Sequence, residues 1–220
     1  MNYTFHWRPA FQALPEMLAG ALVTLQIALL GMLLGTCIAI ALALMTLSKN
    51  WLLKTPAVIW IETARNTPAL FQIYLVYFGL GQFGLHVNSY AALVAGIAFN
   101  NAGYLAETFR GGLRAIPPTQ SRAARSIGFG AVATFRLIVL PQLFRVVFPP
   151  LTNQMVWSIL LTSLGVIVGL NTDLTGVTQQ LNVKTFRTFE YFIIAAALYY
   201  VIAKVVTFGA RLIAARLFRY

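Results

Sequence analysis

The side chains able to bind a solute or carry charge are few, and several of them lie inside long apolar stretches. Glu62, Asn100 and Asn101 occur within segments made largely of aliphatic and aromatic residues. Ionisable and amide groups are costly inside a membrane, so they usually pair with each other or line a water-filled cavity. An asparagine amide can both donate and accept hydrogen bonds, which suits the charged ends of a zwitterion. The asparagines therefore predict either a polar path or a hydrogen bond between helices, and both interpretations stay open.

Hydroxyl groups extend this set. Thr162 and Ser163 follow the proline pair Pro149-Pro150, and broken helices in transporters expose backbone groups at their binding sites. The alternative is a hydroxyl that bonds back to its own helix. The candidates for a substrate path all carry an amide, hydroxyl or carboxylate in or beside an apolar segment: Glu62, Asn66, Asn100, Asn101, Thr162 and Ser163.

Two pairs of opposite charge accompany these candidates. Glu62 and Arg65 are three residues apart, and so are Glu107 and Arg110. Residues at this spacing are neighbours on a helix surface, so each pair can form one ion pair along its own helix. A pair of this kind neutralises itself and then has a structural role.

A cationic segment separates two of the apolar regions. Pro117-Pro118 cannot continue a helix interior, Thr119 is predicted to cap a new helix, and Gly128 is predicted to end it. On this helix Arg122 and Arg125 share one face, and the other side is favoured by smaller or apolar residues: Ala123, Ala124 and Ile127. A charged helix cannot lie in lipid, so residues 119–130 are predicted to dock on a soluble partner. The alternative to a docking helix is a surface loop whose arginines only reflect the preference of positive charge for cytoplasmic connections.

No pattern typical of catalysis is present. The chain lacks the phosphate-binding pattern G-x-x-x-x-G-K-[ST] and the zinc pattern H-E-x-x-H. We therefore expect no enzyme activity and no cofactor in this chain. Cys37 is the one cysteine, which excludes an intrachain disulfide and a cysteine-based metal cluster. No metal site is expected.

The composition indicates a membrane protein. Hydrophobic residues make up 59% of the chain and charged residues 10%, whereas soluble domains carry about a quarter of charged residues. The net charge of +11 would suit nucleic acid only on a soluble basic face. The basic residues lie mostly in short connections between apolar regions, so nucleic acid is not an expected partner and membrane lipid is.

Five apolar regions are predicted to span the membrane in an all-α fold, with residues 1–220 forming a single transmembrane domain. The second region is predicted to break at Pro68, and the fourth at Pro141 and at Pro149-Pro150, which leaves a sixth span open. The five regions are Met17–Leu47, Ala57–Phe83, Tyr90–Thr108, Val132–Leu170 and Tyr191–Ala215.

The distribution of positive charge predicts the orientation. Lysine and arginine favour cytoplasmic connections, and the alternate connections of this chain carry little excess positive charge. The N-terminus is therefore predicted to lie outside and the C-terminus in the cytoplasm. The cationic connections hold Lys49 and Lys54, then Arg110, Arg114, Arg122, Arg125 and Arg136, and finally Arg211, Arg216 and Arg219.

The cationic segment resembles the coupling loop in membrane subunits of ATP-binding-cassette importers. That family's pattern is Glu-Ala-Ala, three residues, Gly, nine residues, Ile-x-Leu-Pro. This chain reads Arg122-Ala123-Ala124, then Gly128, then Ile138-Val139-Leu140-Pro141, with the same spacing. Arg122 replaces the family's glutamate. The resemblance implies that Thr119, Arg122, Ala123, Ala124, Arg125 and Gly128 couple the chain to a cytoplasmic ATPase subunit.

Further segments resemble the branch of this family that takes up polar amino acids, of the histidine, glutamine, arginine and glutamate type. They are residues 62–72, Tyr77-Phe78-Gly79-Leu80, Asn100 with residues 104–112, Thr162-Ser163-Leu164, Asp173-Leu174-Thr175 and Thr185-Phe186-Arg187. The resemblance implies a type I importer permease in a bacterial inner membrane. Its expected partners are ATPase subunits, a second permease chain, an extracytoplasmic substrate-binding protein and a polar amino acid. ATP and its Mg²⁺ are expected to bind the ATPase subunits and not this chain.

One departure from the family bears on the partner chain. Where the family often has Lys-Asp before Thr-Ser, this chain has Leu160 and Leu161. Together with Arg122, this difference favours a heterodimer in which the other permease chain holds the substrate. The rival function is a transporter of small polar solutes driven by an ion gradient. It would be expected to show internal repeats, and it would leave the cationic segment unexplained.

Overall fold

The computed structural model describes residues 3–218, so Arg219, one of the cations counted above, lies outside the described residues. Across residues 3–218 the secondary structure is helical and contains no strand. Nine helices are distinguished in this range: α1 (Trp7–Gln12), α2 (Leu14–Leu47), α3 (Trp51–Asn66), α4 (Ala69–Gln82), α5 (Ser89–Arg114), α6 (Pro118–Ser126), α7 (Ala131–Val168), α8 (Leu174–Thr185) and α9 (Thr188–Leu217).

Helices α2 and α5 form the centre of the bundle and run in the same direction. Gly31 lies against Ile97, and Gly35, one turn further along, lies against Asn101. A Cβ atom placed on Gly35 would come within 2.6 Å of the Asn101 Cβ atom. Small residues allow helix backbones to approach closely, which supplies van der Waals contact where lipid offers no hydrophobic driving force. The glycines of α2 therefore set the distance between the two central helices.

The second apolar region is divided, as predicted at Pro68. Helix α3 ends at Asn66 and α4 begins at Ala69, with Thr67 and Pro68 in extended conformations between them. Proline disfavours the helical conformation of the residue before it, which explains the break. Both helices pack on α5: Gly103 contacts Ala64 of α3, and Gly96 contacts Ile73 of α4.

The fourth apolar region is not broken at its prolines, so that prediction was wrong. Helix α7 runs continuously past Pro141 and Pro149-Pro150. The turn Phe135–Val139 is a π-helix, in which the Leu140 N–H donates to the Phe135 carbonyl. This wider turn lies just before Pro141 and relieves the clash that a proline ring makes with the carbonyl four residues earlier. The helix narrows to a 3₁₀ turn at Thr162–Val168.

The N-terminal segment is fastened to the start of α9 by one buried carboxylate. Glu190 is fully buried and accepts hydrogen bonds from the Tyr3 hydroxyl and from the His6 backbone N–H, the latter at 2.8 Å. Arg187 lies 3.7 Å from the same carboxylate. The bond to Glu190 raises the pKa of the Tyr3 hydroxyl, which keeps it a donor at neutral pH.

Three helices in the described range are long and apolar enough to cross a membrane: α2, α7 and α9. They correspond to the first, fourth and fifth predicted regions. The second region is divided between α3 and α4, and the helix of the third, α5, carries Asn100, Asn101 and Glu107 and is largely buried. Apolar side chains on the outside of the bundle are highly exposed, among them Leu22, Leu44 and Val205, which fits a lipid environment.

We expect the close contact between α3 and α5 to tolerate no added methyl group. A Cβ atom on Gly103 would lie 2.5 Å from the Ala64 Cβ atom, whereas one on Gly111 of the same helix would meet nothing within 4 Å. Gly103→Ala is therefore expected to destabilise the protein by about 1–3 kcal/mol through overpacking, measured as a lower midpoint of thermal unfolding in detergent.

Gly111→Ala is the matched control, because the same change there gains helix propensity of about 1 kcal/mol without a clash. Equal midpoints for the two variants would contradict the packing described for α3 and α5.

Candidate functional site

Asn101 is the centre of a buried hydrogen-bond network between α5 and α7. Its amide nitrogen donates to the Ser158 hydroxyl at 2.9 Å, and its oxygen accepts from the Gln154 amide at 2.8 Å. Asn101 and Ser158 are both fully buried. Because both ends of the Asn101 amide are occupied by this chain, the structure gives this residue an interhelical contact.

Asn100 faces the break between α3 and α4. Its amide nitrogen donates to the Gln72 side-chain oxygen at 3.0 Å and lies 3.3 Å from the Ala64 carbonyl. The Gln72 amide in turn donates to Ala64 and to Thr67, at 2.9 and 3.1 Å. These two side chains satisfy carbonyls that Pro68 and the break leave without helical partners. The Asn100 oxygen is buried and accepts no hydrogen bond from the described residues.

Thr162 belongs to a third polar cluster, where α7 meets α8 and α9. Its hydroxyl donates to the Ile159 carbonyl at 2.8 Å and lies 3.4 Å from the Tyr199 hydroxyl. Tyr199 also lies 2.8 Å from the Thr175 hydroxyl. The Ser163 hydroxyl donates to the Leu160 carbonyl at 2.7 Å, so both hydroxyls bond back to their own helix, as the alternative interpretation predicted. Thr162 is thus buried, whereas Ser163 borders an open groove.

The remaining candidates, Glu62 and Asn66, lie together on α3, but Glu62 does not pair with Arg65. The Asn66 amide donates to the Glu62 carboxylate at 2.8 Å. Arg65 is directed across to α5 instead, where it lies 3.9 Å from the Glu107 carboxylate and over the Tyr104 ring. A predicted pair within α3 is thereby replaced by a contact between helices.

The predicted pair on α5 is confirmed. Arg110 donates two hydrogen bonds to the Glu107 carboxylate, at 2.9 and 2.6 Å. This bidentate geometry is the strong form of a guanidinium–carboxylate pair. Arg65 approaches the same carboxylate, so Glu107 has two guanidinium groups as neighbours. This arrangement gives Glu107 a structural role.

The cationic helix is present as α6, and it differs from the prediction at its start. Pro117 occupies the capping position, so Thr119 is not the cap; Pro118 begins the helix, a position in which its missing N–H costs nothing. Gly128 ends the helix as predicted, with a φ of 96°. Its N–H donates to Arg125 and the Phe129 N–H to Ala124, which is the glycine-dependent closure of a helix C-terminus.

Most of α6 projects away from the bundle. Ala124 is buried, whereas Ala123, Arg122 and Arg125 are exposed. Ile127, which was predicted to lie on the side opposite the arginines, is 77% exposed. Val132, just beyond the turn, is 81% exposed. Apolar and cationic groups are therefore both uncovered on α6 and in the segment after it, and we call these exposed residues the α6 surface: Arg122, Ala123, Arg125, Ile127 and Val132.

The structure distributes the substrate-path candidates over four places and does not bring them together into one site. Sequence reasoning missed the partners that occupy them, namely Gln72, Gln154, Ser158, Thr175 and Tyr199. Gln154 and Ser158 are four residues apart in an apolar helix, a spacing that signals one polar face. Gln72 follows a proline break, where free carbonyls require donors.

Apolar helices long enough to span a membrane, polar groups between them and an uncovered cationic helix together define a membrane transport subunit. The family model described as "Binding-protein-dependent transport system inner membrane component" matches residues 31–219. The chain belongs to this family. It is a multi-pass permease subunit of the inner membrane and has a transport role, not an enzymatic one.

The chain is similar to several curated permeases over most of its length. It is 37% identical over 205 residues to the octopine transport system permease protein OccM of Rhizobium radiobacter, covering 88% of this chain and 83% of the relative. It is 33% identical over 207 residues to the nopaline transport system permease protein NocM of Agrobacterium fabrum, covering 89% and 85%. For the glutamine transport system permease protein GlnP of Escherichia coli K12 the identity is 31% over 209 residues, covering 94% and 95%.

The fold agrees with a solved structure described as an amino acid ABC transporter with histidines. The TM-score is 0.90 at 31% sequence identity, covering 97% of this chain and 100% of the other. The MetNI methionine ABC transporter in an inward-facing conformation matches with a TM-score of 0.75 at 15% identity, covering 94% and 99%. The second comparison shows the fold alone, which is that of a type I ABC permease.

We expect Asn101→Ala to reduce stability, because it leaves the Ser158 hydroxyl and the Gln154 amide without their partner. The expected loss is about 1–2 kcal/mol, measured as a lower unfolding midpoint in detergent. Asn66→Ala is the control: Asn66 is exposed and bonds only within α3. If Asn101→Ala keeps the wild-type midpoint but loses substrate-stimulated transport, Asn101 contacts the solute instead.

Proposed function

We propose that this chain is one of two permease subunits in an ATP-driven importer of polar amino acids, and that opines built from amino acids belong to the substrate class. The α6 surface carries the proposal, because a cationic and apolar patch outside the membrane requires a soluble partner. The relatives' names support the substrate class, since they include octopine, nopaline and glutamine transport systems.

We further propose five membrane crossings, with the N-terminus outside and the C-terminus in the cytoplasm. The parallel contacts of α2 with α5, and the contact of Val147 of α7 with Gly112 near the end of α5, support alternating directions. Tyr3 contacts Glu190 at one end of α9, and Arg145 contacts Phe218 at the other. In this arrangement α3 and α4 share one crossing, and α6 lies on the cytoplasmic side.

The second permease chain is proposed to be a different protein. The groove beside Thr162 and Ser163 has a volume of about 440 Å³ and carries no charged side chain; it is lined by Leu160, Ser163, Ala196, Tyr199, Tyr200 and Ala203. An amino acid has two charged ends, which need charged or hydrogen-bonding partners when they leave water. We therefore assign those partners to the other chain, which makes the pair a heterodimer.

In the proposed mechanism the ATPase subunits bind ATP and move α6. The short segment of residues 127–130 joins α6 to α7, and the Gln142 amide of α7 donates to the Gln120 side-chain oxygen of α6 at 2.6 Å. A displacement of α6 is therefore passed to α7. An extracytoplasmic binding protein supplies the amino acid at the opposite end of the bundle. The delivered substrate is expected to raise ATP turnover, because it shifts the equilibrium only through unequal affinity for the two states.

Co-purification with a tag tests this function. The chain, expressed with its neighbouring genes and purified in mild detergent, is expected to retain an ATPase subunit and a second, similar permease. Retention of the ATPase with this chain alone would indicate a homodimer. No ATPase under conditions that preserve comparable complexes would contradict the importer and favour transport driven by an ion gradient.

Charge reversal on the α6 surface is expected to uncouple the complex. Arg122 is exposed and, among residues 3–218, forms no ion pair within the chain. Arg122→Glu is therefore expected to reduce substrate-stimulated ATP turnover by about fivefold or more, the lower end of typical coupling energies, with the fold intact. The measurement is ATPase activity in proteoliposomes with and without the loaded binding protein.

Lys49→Glu serves as the control, since it makes the same charge change in a different connection, between α2 and α3. Equal stimulation in the wild type and in Arg122→Glu would show that Arg122 makes no contact that matters for coupling.

A further inference from the structure

A cavity with charges of both signs lies between α2, α3 and α5, near their ends closest to α6. Its volume is about 230 Å³, and it is partly enclosed. It is lined by Thr46 and Leu47 of α2, by Lys54, Val58, Ile61 and Glu62 of α3, and by Glu107, Arg110 and Arg114 of α5. Glu107, which joins α3 to α5 through Arg65, is part of this lining, whereas the networks around Asn100, Asn101 and Thr162 are not.

The charges in this cavity are unequally satisfied. Glu107 is occupied by Arg110 and approached by Arg65, as described above. Glu62 receives an amide hydrogen bond from Asn66, but within the described chain no cation lies at ion-pair distance from its carboxylate. Lys54 and Arg114 likewise have no carboxylate partner among residues 3–218. One carboxylate and two cations, none of them in an ion pair within the described chain, therefore line the same small space.

We propose that this cavity binds a zwitterion, with its oxyanion at Lys54 and Arg114 and its ammonium group at Glu62. A purely anionic ligand fits less well, because Glu62 and Glu107 would repel it, and a purely cationic ligand would meet Lys54 and Arg114. The volume is below that of cavities for drug-sized ligands, about 300–1,000 Å³, and suits a small molecule or a single headgroup.

Two molecules supply this chemistry at the cytoplasmic end of an importer. One is the transported amino acid after its release from the central path, and this source rests on the proposed function. The other is the headgroup of phosphatidylethanolamine, whose phosphate and ammonium have the same arrangement of charge. The two share one recognition chemistry, and the experiment separates them.

The test uses the complete importer in nanodiscs of phosphatidylcholine and phosphatidylglycerol, without the binding protein. L-Glutamine and L-arginine are the soluble probes, and the readout is the thermal unfolding midpoint against probe concentration. In a second arm, native mass spectrometry of the importer from phosphatidylethanolamine-containing membranes records retained lipid. If the wild-type importer binds a probe or lipid in either arm, we expect each of three substitutions to weaken that binding about tenfold, as for one lost charge-assisted contact. The substitutions are Lys54→Gln, Arg114→Gln and Glu62→Gln.

Lys49→Gln is the control variant, because it removes the same charge outside the cavity, and it is expected to bind as the wild type does. Binding of a soluble probe assigns the cavity to the amino acid, and retention of phosphatidylethanolamine assigns it to the lipid. No binding in either arm, or equal weakening by Lys49→Gln, overturns the proposal. Substrate-stimulated ATP turnover, measured on the same preparations, shows independently whether the importer itself functions.

Discussion

A bundle that lies in lipid has no water with which to satisfy its polar groups, and this constraint explains most of the buried polar contacts. The break at Pro68 is possible because Gln72 and Asn100 donate to carbonyls around it. The Thr24 hydroxyl accepts the Leu174 N–H at the start of α8, and Asp173 caps the same helix with its side chain. At the Pro68 break and at the start of α8, a neighbouring side chain supplies the missing hydrogen-bond partner, so these polar residues hold the fold.

The same constraint identifies the places that are available for function. Where the chain satisfies its own polar groups, as at Asn101, little is left for a solute to bind. Where it does not, a partner is required. The α6 surface leaves Arg122 and Ile127 uncovered. In the cavity near α6, Lys54, Glu62 and Arg114 form no ion pair within the described chain. Both places lie at the end of the bundle that the distribution of lysine and arginine assigns to the cytoplasm.

The sequence predicted the broad architecture because hydrophobic length and proline position act locally. The spans that became α2 and α9, the break at Pro68 and the end of α6 at Gly128 were all readable in this way. The partners of polar side chains could not be predicted in this way, because they lie on other helices. Arg65, for example, pairs with Glu107 of α5 instead of with its neighbour Glu62. The continuity of α7 was also not predicted. A π turn accommodates Pro141 within the helix, and no residue type in the sequence identifies that turn.

The position of these charges also supports the proposal that the second permease chain is a different protein. In this chain the groove beside Ser163 is lined by no charged side chain, whereas the charges that form no ion pair lie far along the chain from it, on α3 and at the end of α5. A zwitterion on its way inward cannot leave water without opposing charges, so the chain offers it no charged contact beside Ser163 and several near α6. A second chain with charged groups at the corresponding groove would complete the path, and the two subunits would then contribute to successive stages of the same passage.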